Sequence, residues 1–371
     1  MKIGCVKEIK HHEYRVGLTP SDAKSYISRG HKVIFQKNAG EAAGFEDTDY
    51  QKAGAEMIVN REDIYNNAEM IIKVKEPIPE EYRLFHKGQI LYTYLHLAAD
   101  RKLTEALIKA GIKAIAYETI EEDDGQLPCL KPMSEIAGRL AVQEGAKYLE
   151  KTYGGRGVLL GGVPGVSRGK VSIIGGGVVG TNACKIATGM GAEVTVLDIS
   201  AKRLEYLDDI FGSRITTLYC TEANIEKILI ESDLIIGAVL LPGAKAPMLV
   251  NRNQIKLMKK GAVIVDVAVD QGGCIETIRP TTHDDPIYVV DDVVHYGVTN
   301  MPGAVSLSST KALTSTTLPY GLMIAELGLE EACRKSKAIK LGVNIYKNKC
   351  VYNNVAKAFD IPWHSIDELL D

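Results

Sequence analysis

Short apolar runs rich in β-branched residues recur through the first third of the chain, at Ile3–Val6, Val33–Phe35, Met70–Val74, Ile90–Tyr94 and Ile112–Tyr117. Runs of this length, apolar throughout rather than alternating, read as parallel strands buried on both faces. Helical spacing lies between them. Thr19-Pro20-Ser21-Asp22 joins a capping hydroxyl, a proline in the first turn and an acid, so a helix starts there, and Gly30 closes it. Asp100 to Ala110, ended by Gly111, is another. A helical stretch runs from Ser134 to about Lys151, and the glycine-rich loop Gly154 to Gly169 has the composition of a boundary. A second alternating series opens at Lys170, with strands predicted at Val171–Ile174, Val194–Leu197, Ile215–Tyr219, Leu234–Ile236, Val263–Val265 and Tyr288–Val290. After Pro302 the pattern is helical to about Lys347.

Two strand–helix series predict an α/β chain of two doubly wound, Rossmann-like domains with a cleft between them. Residues 1–130 form the first, a substrate domain, and residues 131–305 the second, a nucleotide domain. Residues 306–371 have no sheet of their own and are expected to return and complete the first. With 371 residues there is room for two ordinary cores. A net charge of −3 with scattered Lys and Arg carries no footprint for nucleic acid or an anionic membrane surface. No run of 18 apolar residues is present to span a bilayer. The seven cysteines are odd in number and form no C-x-x-C, which fits reduced thiols. The chain starts straight into a strand-like run without an apolar leader, so a cytoplasmic location is expected.

Candidate chemistry begins where Val171–Ile174 runs into Gly175-Gly176-Gly177-Val178-Val179-Gly180. This is G-x-G-x-x-G at a strand-to-helix junction. Gly175 permits the tight turn, Gly177 lets a pyrophosphate approach the backbone, and Gly180 lets helix and strand pack closely. The phosphates would meet N–H groups at the helix start. A bare glycine turn in an α/β fold is the simpler reading. Against it, Asp198 closes the next predicted strand, at the distance where an acid holds the adenosine ribose of NAD.

In the first domain, Arg15, Lys75 and His96 each follow a predicted strand. Singly, such residues are most often solvated surface charges or structural histidines. Together they could bind a carboxylate and supply a titrating group: Arg offers a planar fork, Lys a compact charge, His a proton near neutral pH. In the second, Asp266 reads as a loop-fixing residue, and Asp270 lies further out, where it could face the nicotinamide. No H-E-x-x-H or comparable spacing points to a metal, and His11-His12 reads as an exposed loop pair.

Almost the whole chain resembles the alanine dehydrogenases and, more widely, the transhydrogenase α-subunit group. The resemblance is carried by Lys7-Glu8-Ile9-Lys10 with Glu13-Tyr14-Arg15-Val16, by Lys73-Val74-Lys75-Glu76-Pro77, by Tyr92 to Ala98 and by Pro132 to Arg139. It continues in the glycine turn and in Gly237 to Pro247, Asp266 to Cys274, Arg279 to Pro286 and Asn300 to Val305. It implies NAD-dependent, reversible oxidative deamination of L-alanine to pyruvate and ammonium by a homo-oligomer, in this family a hexamer. It further implies that Arg15 and Lys75 bind substrate and that His96 and Asp270 are catalytic. Ser134, Val178, Asp198, Arg203, Cys220, Val239, Leu240, Val267, Arg279, Asn300 and Met301 would line the NAD site with the three glycines. Two departures stand out: Ser306-Leu307-Ser308 replaces an expected Pro-Arg-Thr, and Ser167-Arg168-Gly169 follows Val166 where a proline pair is common. The first puts hinge behaviour in question. The NAD(H)-binding component of a proton-translocating transhydrogenase and a non-catalytic NAD sensor are the alternatives, and pyruvate with ammonium as substrates separates them.

Overall fold

The computed structural model describes residues 1–239 and 246–370, so Leu240 lies outside the described residues. The strands in chain order are β1 (Lys2–Cys5), β2 (Lys32–Gln36), β3 (Glu56–Ile58), β4 (Met70–Ile72), β5 (Ile90–Thr93) and β6 (Lys113–Ala116). Then follow β7 (Lys170–Ile174), β8 (Glu193–Asp198), β9 (Ile215–Tyr219), β10 (Leu234–Gly237), β11 (Val263–Asp266), β12 (Ile287–Val290) and β13 (Val293–Tyr296). The last two are β14 (Val343–Tyr346) and β15 (Lys349–Cys350). They form two sheets, in the orders β15-β14-β6-β5-β4-β1-β2-β3 and β12-β13-β11-β10-β7-β8-β9.

Local chemistry explains the element boundaries. Thr19 caps the helix Pro20–Ser28 by accepting the Asp22 N–H, while Asp22 reaches back to the Thr19 N–H at 2.7 Å, a capping box. Asp100 caps Arg101–Ala110 by accepting the Leu103 N–H. In the glycine-rich stretch, a bridge joins Val163 to Val166 and the Gly169 N–H donates to the Leu160 carbonyl, so Ser167-Arg168-Gly169 closes a turn around Pro164 without a further proline pair.

The chain divides into two compact units, Met1–Met133 with Gly303–Asp371, and Ser134–Pro302. In the first, β1 to β6 run parallel, and β14 and β15 add antiparallel at the edge beside β6. The expectation that helix persists to Lys347 is corrected here: helix ends at Gly342, and Val343-Asn344-Ile345-Tyr346 is a strand. Its reason is legible in retrospect. β-branched residues favour strand, and Lys347-Asn348, both at positive φ, make the two-residue turn a hairpin prefers. The C-terminal segment thus completes the first sheet, and Ile345 and Val355 share a core with Val6, Leu91 and Leu107. The helix Ser306–Leu327 also belongs to this unit: Ser306 Oγ donates to the Ala42 carbonyl and Thr310 Oγ1 accepts the Val16 N–H. The β3 and β13 strands were not expected; β3 is three residues with one exposed, too short for a pattern.

In the second unit, β7 to β11 and β13 are parallel and β12 pairs antiparallel with β13. Ile174, Leu197, Ile235, Ile264 and Val293 pack with Ile225 and Leu229 on one face. All seven cysteines are free thiols and only Cys220 is not buried. Among the described residues no helix is long and apolar enough to cross a membrane.

One buried group makes this unit's stability pH-dependent. His295 on β13 has no exposed surface; its Nδ1 meets the Val293 carbonyl and its Nε2 the Thr277 hydroxyl at 2.7 Å. That pattern fits a neutral ring donating through Nδ1 and accepting at Nε2. Burial pulls its pKa below the usual value. An unfolded histidine takes up a proton below about pH 6.5 while the folded one resists, so this contribution to stability is lost as pH falls. We expect His295→Asn to be less stable than wild type at pH 8 and to show a shallower fall in melting temperature between pH 8 and 5. An unchanged slope would assign the acid sensitivity to other groups.

Candidate active site

Parallel strands expose their chemistry at the carboxyl ends, where the backbone ladder runs out and loops begin. In the first unit β5, β4 and β1 are neighbours, and the three candidate cations follow them in turn: His96 after β5, Lys75 after β4, Arg15 in the longer loop after β1. Sheet order therefore brings together residues far apart in sequence.

Each of the three is held by a carboxylate. Arg15 is buried at 3% exposure; its Nε and Nη2 donate to the two Glu13 oxygens at 2.7 and 2.6 Å, and Nη1 lies 3.0 Å from the Met133 sulfur. Burial disfavours the charged guanidinium, but Glu13 outweighs it and the pKa rises. The fork that sequence reasoning offers to a substrate is, on this edge, turned to Glu13. Lys75 is half-buried; its backbone N–H lies 3.3 Å from Glu8 Oε1 and its carbonyl accepts the Thr93 hydroxyl. His96 is exposed and sits at φ 47°, ψ 36°, a left-handed conformation uncommon outside glycine. Glu118 holds it there, accepting the His96 N–H at 2.6 Å and the Leu95 N–H, and the His96 ring stacks on Tyr94.

Beneath these loops lies a buried ionic cluster to which no function was given from the sequence. Lys73 has no exposed surface, and its Nζ lies 3.1 Å from Glu8 and 2.9 Å from Glu81. Tyr65 Oη and the Ile78 N–H also donate to Glu81. Burial alone would neutralise the ammonium; Glu8, Tyr65 and Glu81 overcome it and raise its pKa. Glu76 is a further unassigned acid. Burial would raise its pKa, but Lys75, Lys10 and His96 together lower it, and Lys10 hydrogen-bonds it directly.

The second unit presents its candidates along one sheet edge: Cys220 after β9, Asp198 closing β8, Gly175 after β7, Val239 after β10, Val267 and Asp270 after β11, Asn300 and Met301 beyond β13. Arg279 joins them, because its carbonyl lies against Gly297, just past β13, and its guanidinium lies over Tyr288. Met301 is buried, Cys220, Val239, Val267 and Asn300 are half-buried, and Val178, Asp270 and Arg279 are exposed. Gly175 has φ +102° and abuts the Ala238 carbonyl, where a Cβ would come within 2.7 Å. A Cβ on Gly180 would fall 1.8 Å from the Gly175 carbonyl, whereas one on Gly177 would meet nothing within 4 Å. The turn is thus tight at 175 and 180 and open at 177. Gly177 gives the helix Val178–Gly189 no side-chain cap, which leaves its first N–H groups for an anion. Asp198 braces the turn, accepting the Gly176 N–H at 2.7 Å and the Ser200 N–H at 2.9 Å. Arg203 donates to the Gly176 carbonyl and to Thr181 Oγ1, and its guanidinium lies 4.6 Å from the Tyr206 ring centre. The helix Lys131–Tyr148 crosses close by: Arg139 donates to Asn182, and Gly138 packs on the Val179 carbonyl, one turn beyond half-buried Ser134.

Family models for the alanine dehydrogenase/PNT N-terminal and C-terminal domains match residues 4–137 and 141–353. The chain belongs to the alanine dehydrogenase/PNT family. It is 53% identical to alanine dehydrogenase 2 of Staphylococcus aureus (strain USA300) over 371 residues, all of both chains, and 52% identical to that of strain N315 over the same span. A solved L-alanine dehydrogenase superposes with TM-score 0.94 at 53% identity, covering 97% of this chain and 99% of that one. A transhydrogenase from Sinorhizobium meliloti shares the fold, with TM-score 0.81 at 23% identity, covering 95% and 99%. The family implies a nicotinamide cofactor, and the open turn at Gly177 with an uncapped helix behind it fits a pyrophosphate.

Lys73 was the residue most open to notice. A lysine inside Ile71-Ile72-Lys73-Val74 must be buried with that strand, and a buried ammonium needs carboxylates. Asp266 bears out its loop-fixing reading: 1% exposed, it accepts the N–H groups of Ala268, Cys274 and Ile275.

Gly180→Ala tests the turn. We expect nicotinamide dinucleotide binding to weaken at least about tenfold, with destabilisation of about 1–3 kcal/mol from overpacking. Equal binding and melting temperature would show that the turn yields freely.

Proposed function

We propose that this chain is an NAD-dependent alanine dehydrogenase, interconverting L-alanine with pyruvate and ammonium. The observation that carries this reading is end-to-end similarity at 53% to alanine dehydrogenase 2, in a fold that sets Arg15, Lys75 and His96 beyond the ends of three adjacent strands. Arg15 and Lys75 would hold the substrate carboxylate and carbonyl oxygen, the first oriented by Glu13 and the second by the fixed backbone after β4. Bound NAD supplies the hydride acceptor for the Cα hydride of alanine. His96 would move a proton between water and the substrate oxygen as iminopyruvate is hydrated and collapses to pyruvate and ammonium. Asp270 would orient water or ammonia and balance the cationic imine. The dinucleotide would lie along the second unit's edge, with Gly175, Gly177, Gly180 and Val178 at the pyrophosphate. Asp198 would be on the ribose, and Ser134, Arg203, Cys220, Val239, Leu240, Val267, Arg279, Asn300 and Met301 would surround the rest. We further propose a homo-oligomer, hexameric as the family resemblance implies, working in the cytoplasm. The deciding experiment is a steady-state assay of NADH oxidation with pyruvate and ammonium; absence of turnover would remove the reading.

Lys75→Ala and His96→Ala should each lower turnover by roughly 10²–10⁴-fold while NADH binding stays near wild type. Both residues belong to the first unit and the glycine turn to the second. Near-normal rates in either variant would take that residue out of the mechanism.

Cofactor preference should follow from Asp198. Its carboxylate repels a 2′-phosphate, and Arg203, already engaged with Gly176, Thr181 and Tyr206, is committed to the turn. The wild type should prefer NADH to NADPH. Asp198→Ala should narrow the ratio of their specificity constants by about tenfold or more, the size of a hydrogen bond to a charged group. An unchanged ratio would place the discrimination elsewhere.

A further inference from the structure

We propose that Glu8 is the positioning residue for Lys75, holding the backbone after β4 in place, and that Lys73 is the counter-charge that lets a carboxylate do this in the interior. The proposal rests on the reading above only in that Lys75 meets substrate.

The argument begins with the ladder. β1 pairs with β4 no further than Cys5 opposite Ile72. Beyond that point the N–H groups of Val74 and Lys75 need another acceptor. Glu8 Oε1 provides it, at 2.6 Å from Val74 N and 3.3 Å from Lys75 N. Its other oxygen takes the Lys73 ammonium at 3.1 Å. One side chain from the loop after β1 therefore stands in for a missing strand carbonyl and sets the path on which Lys75 leaves the sheet.

A purely structural role explains this poorly. Buried ion pairs can often be replaced by well-packed apolar groups at no loss of stability. What an apolar pair cannot supply is an acceptor for two consecutive N–H groups. A glutamine carbonyl could, but beside Lys73 its amide would set N–H donors against an ammonium that has only donors. The charge on Glu8 is thus required by Lys73, and the acceptor by Lys75.

These requirements separate in three variants. Glu8→Gln should lower kcat/KM for pyruvate by roughly 10–100-fold, mainly through KM, with NADH affinity unchanged. Glu8→Gln with Lys73→Met should recover to within a few-fold of wild type, because the glutamine keeps the acceptor and the clash is gone. Glu81 retains the Tyr65 and Ile78 donors in that variant. Glu8→Leu with Lys73→Met should fold and bind NADH normally but melt below wild type, since two N–H groups lose their acceptor and Glu81 its ammonium, and remain down by about 100-fold. Equal activity in the two double variants would overturn the proposal. If the leucine variant does not fold, Glu8→Gln against its Lys73→Met double decides: recovery supports the proposal and no recovery overturns it.

A second readout needs no turnover. The rate at which acetic anhydride modifies Lys75, measured by peptide mass spectrometry against Lys340 in the same sample, should differ from wild type in Glu8→Gln and return in the Gln/Met double variant. If wild type fails to oxidise NADH with pyruvate and ammonium, the proposed function falls while this measurement still tests Glu8. An unchanged Lys75 rate would overturn the positioning role.

Discussion

The Lys73 ammonium, fully out of water between Glu8 and Glu81, fixes the carboxyl edge of the first sheet. A desolvated charge tolerates little movement in its partners, because losing one carboxylate leaves an uncompensated ion in a low-dielectric interior. Glu8 comes from the loop after β1 and Glu81 from beyond β4, so the cluster ties both loops to one point. Arg15 and Lys75 leave the sheet from those two loops, and Tyr117 Oη adds a third strand by donating to the Lys73 carbonyl. Precision at the candidate site is therefore set one layer beneath it.

The second unit solves the same problem with less charge. Its edge is shaped by close backbone approaches at Gly175 and Gly180, braced by Asp198 and Arg203 on opposite groups of Gly176. An open turn with an uncapped helix start suits an extended anion, while the first unit's edge carries half-buried Lys75 and exposed His96 beside an Arg15 whose fork is on Glu13. The difference in chemistry between the two edges is thus present in each unit taken by itself.

Much of this was legible in the sequence, for identifiable reasons. Buried parallel strands are largely apolar, so β1, β4, β5, β7 and β10 stand out, and the Thr19–Asp22 capping box and the glycine turn depend on local chemistry alone. The β14 strand was missed because the helices Leu329–Lys335 and Lys337–Gly342 lead into four residues whose partner, β6, lies more than two hundred positions earlier. The roles of Glu8 and Glu118 were hidden for the same reason. A glutamate in a loop carries no local sign that a distant N–H awaits it. Arg15 shows the limit most clearly: its residue type suggests a free fork, and only the fold shows Glu13 on it.

Glu8 and Asp266 point to a common constraint. Both are acids at the carboxyl end of a parallel sheet, both accept several backbone N–H groups, and both are buried. Glu8 has a lysine beside it. Asp266 relies on backbone donors and the Cys274 thiol, and burial pushes its pKa up to about 6 in spite of them. A folded-state pKa above that of the unfolded acid means that stability declines as pH rises through that range, since the unfolded chain ionises first. At neutral pH the ionised Asp266 is therefore a cost that the fold carries. An apolar residue would avoid it but would leave three N–H groups at the root of the Asp270 loop without an acceptor. Where a side chain costs stability and still holds a loop at both its ends, its contribution is geometric.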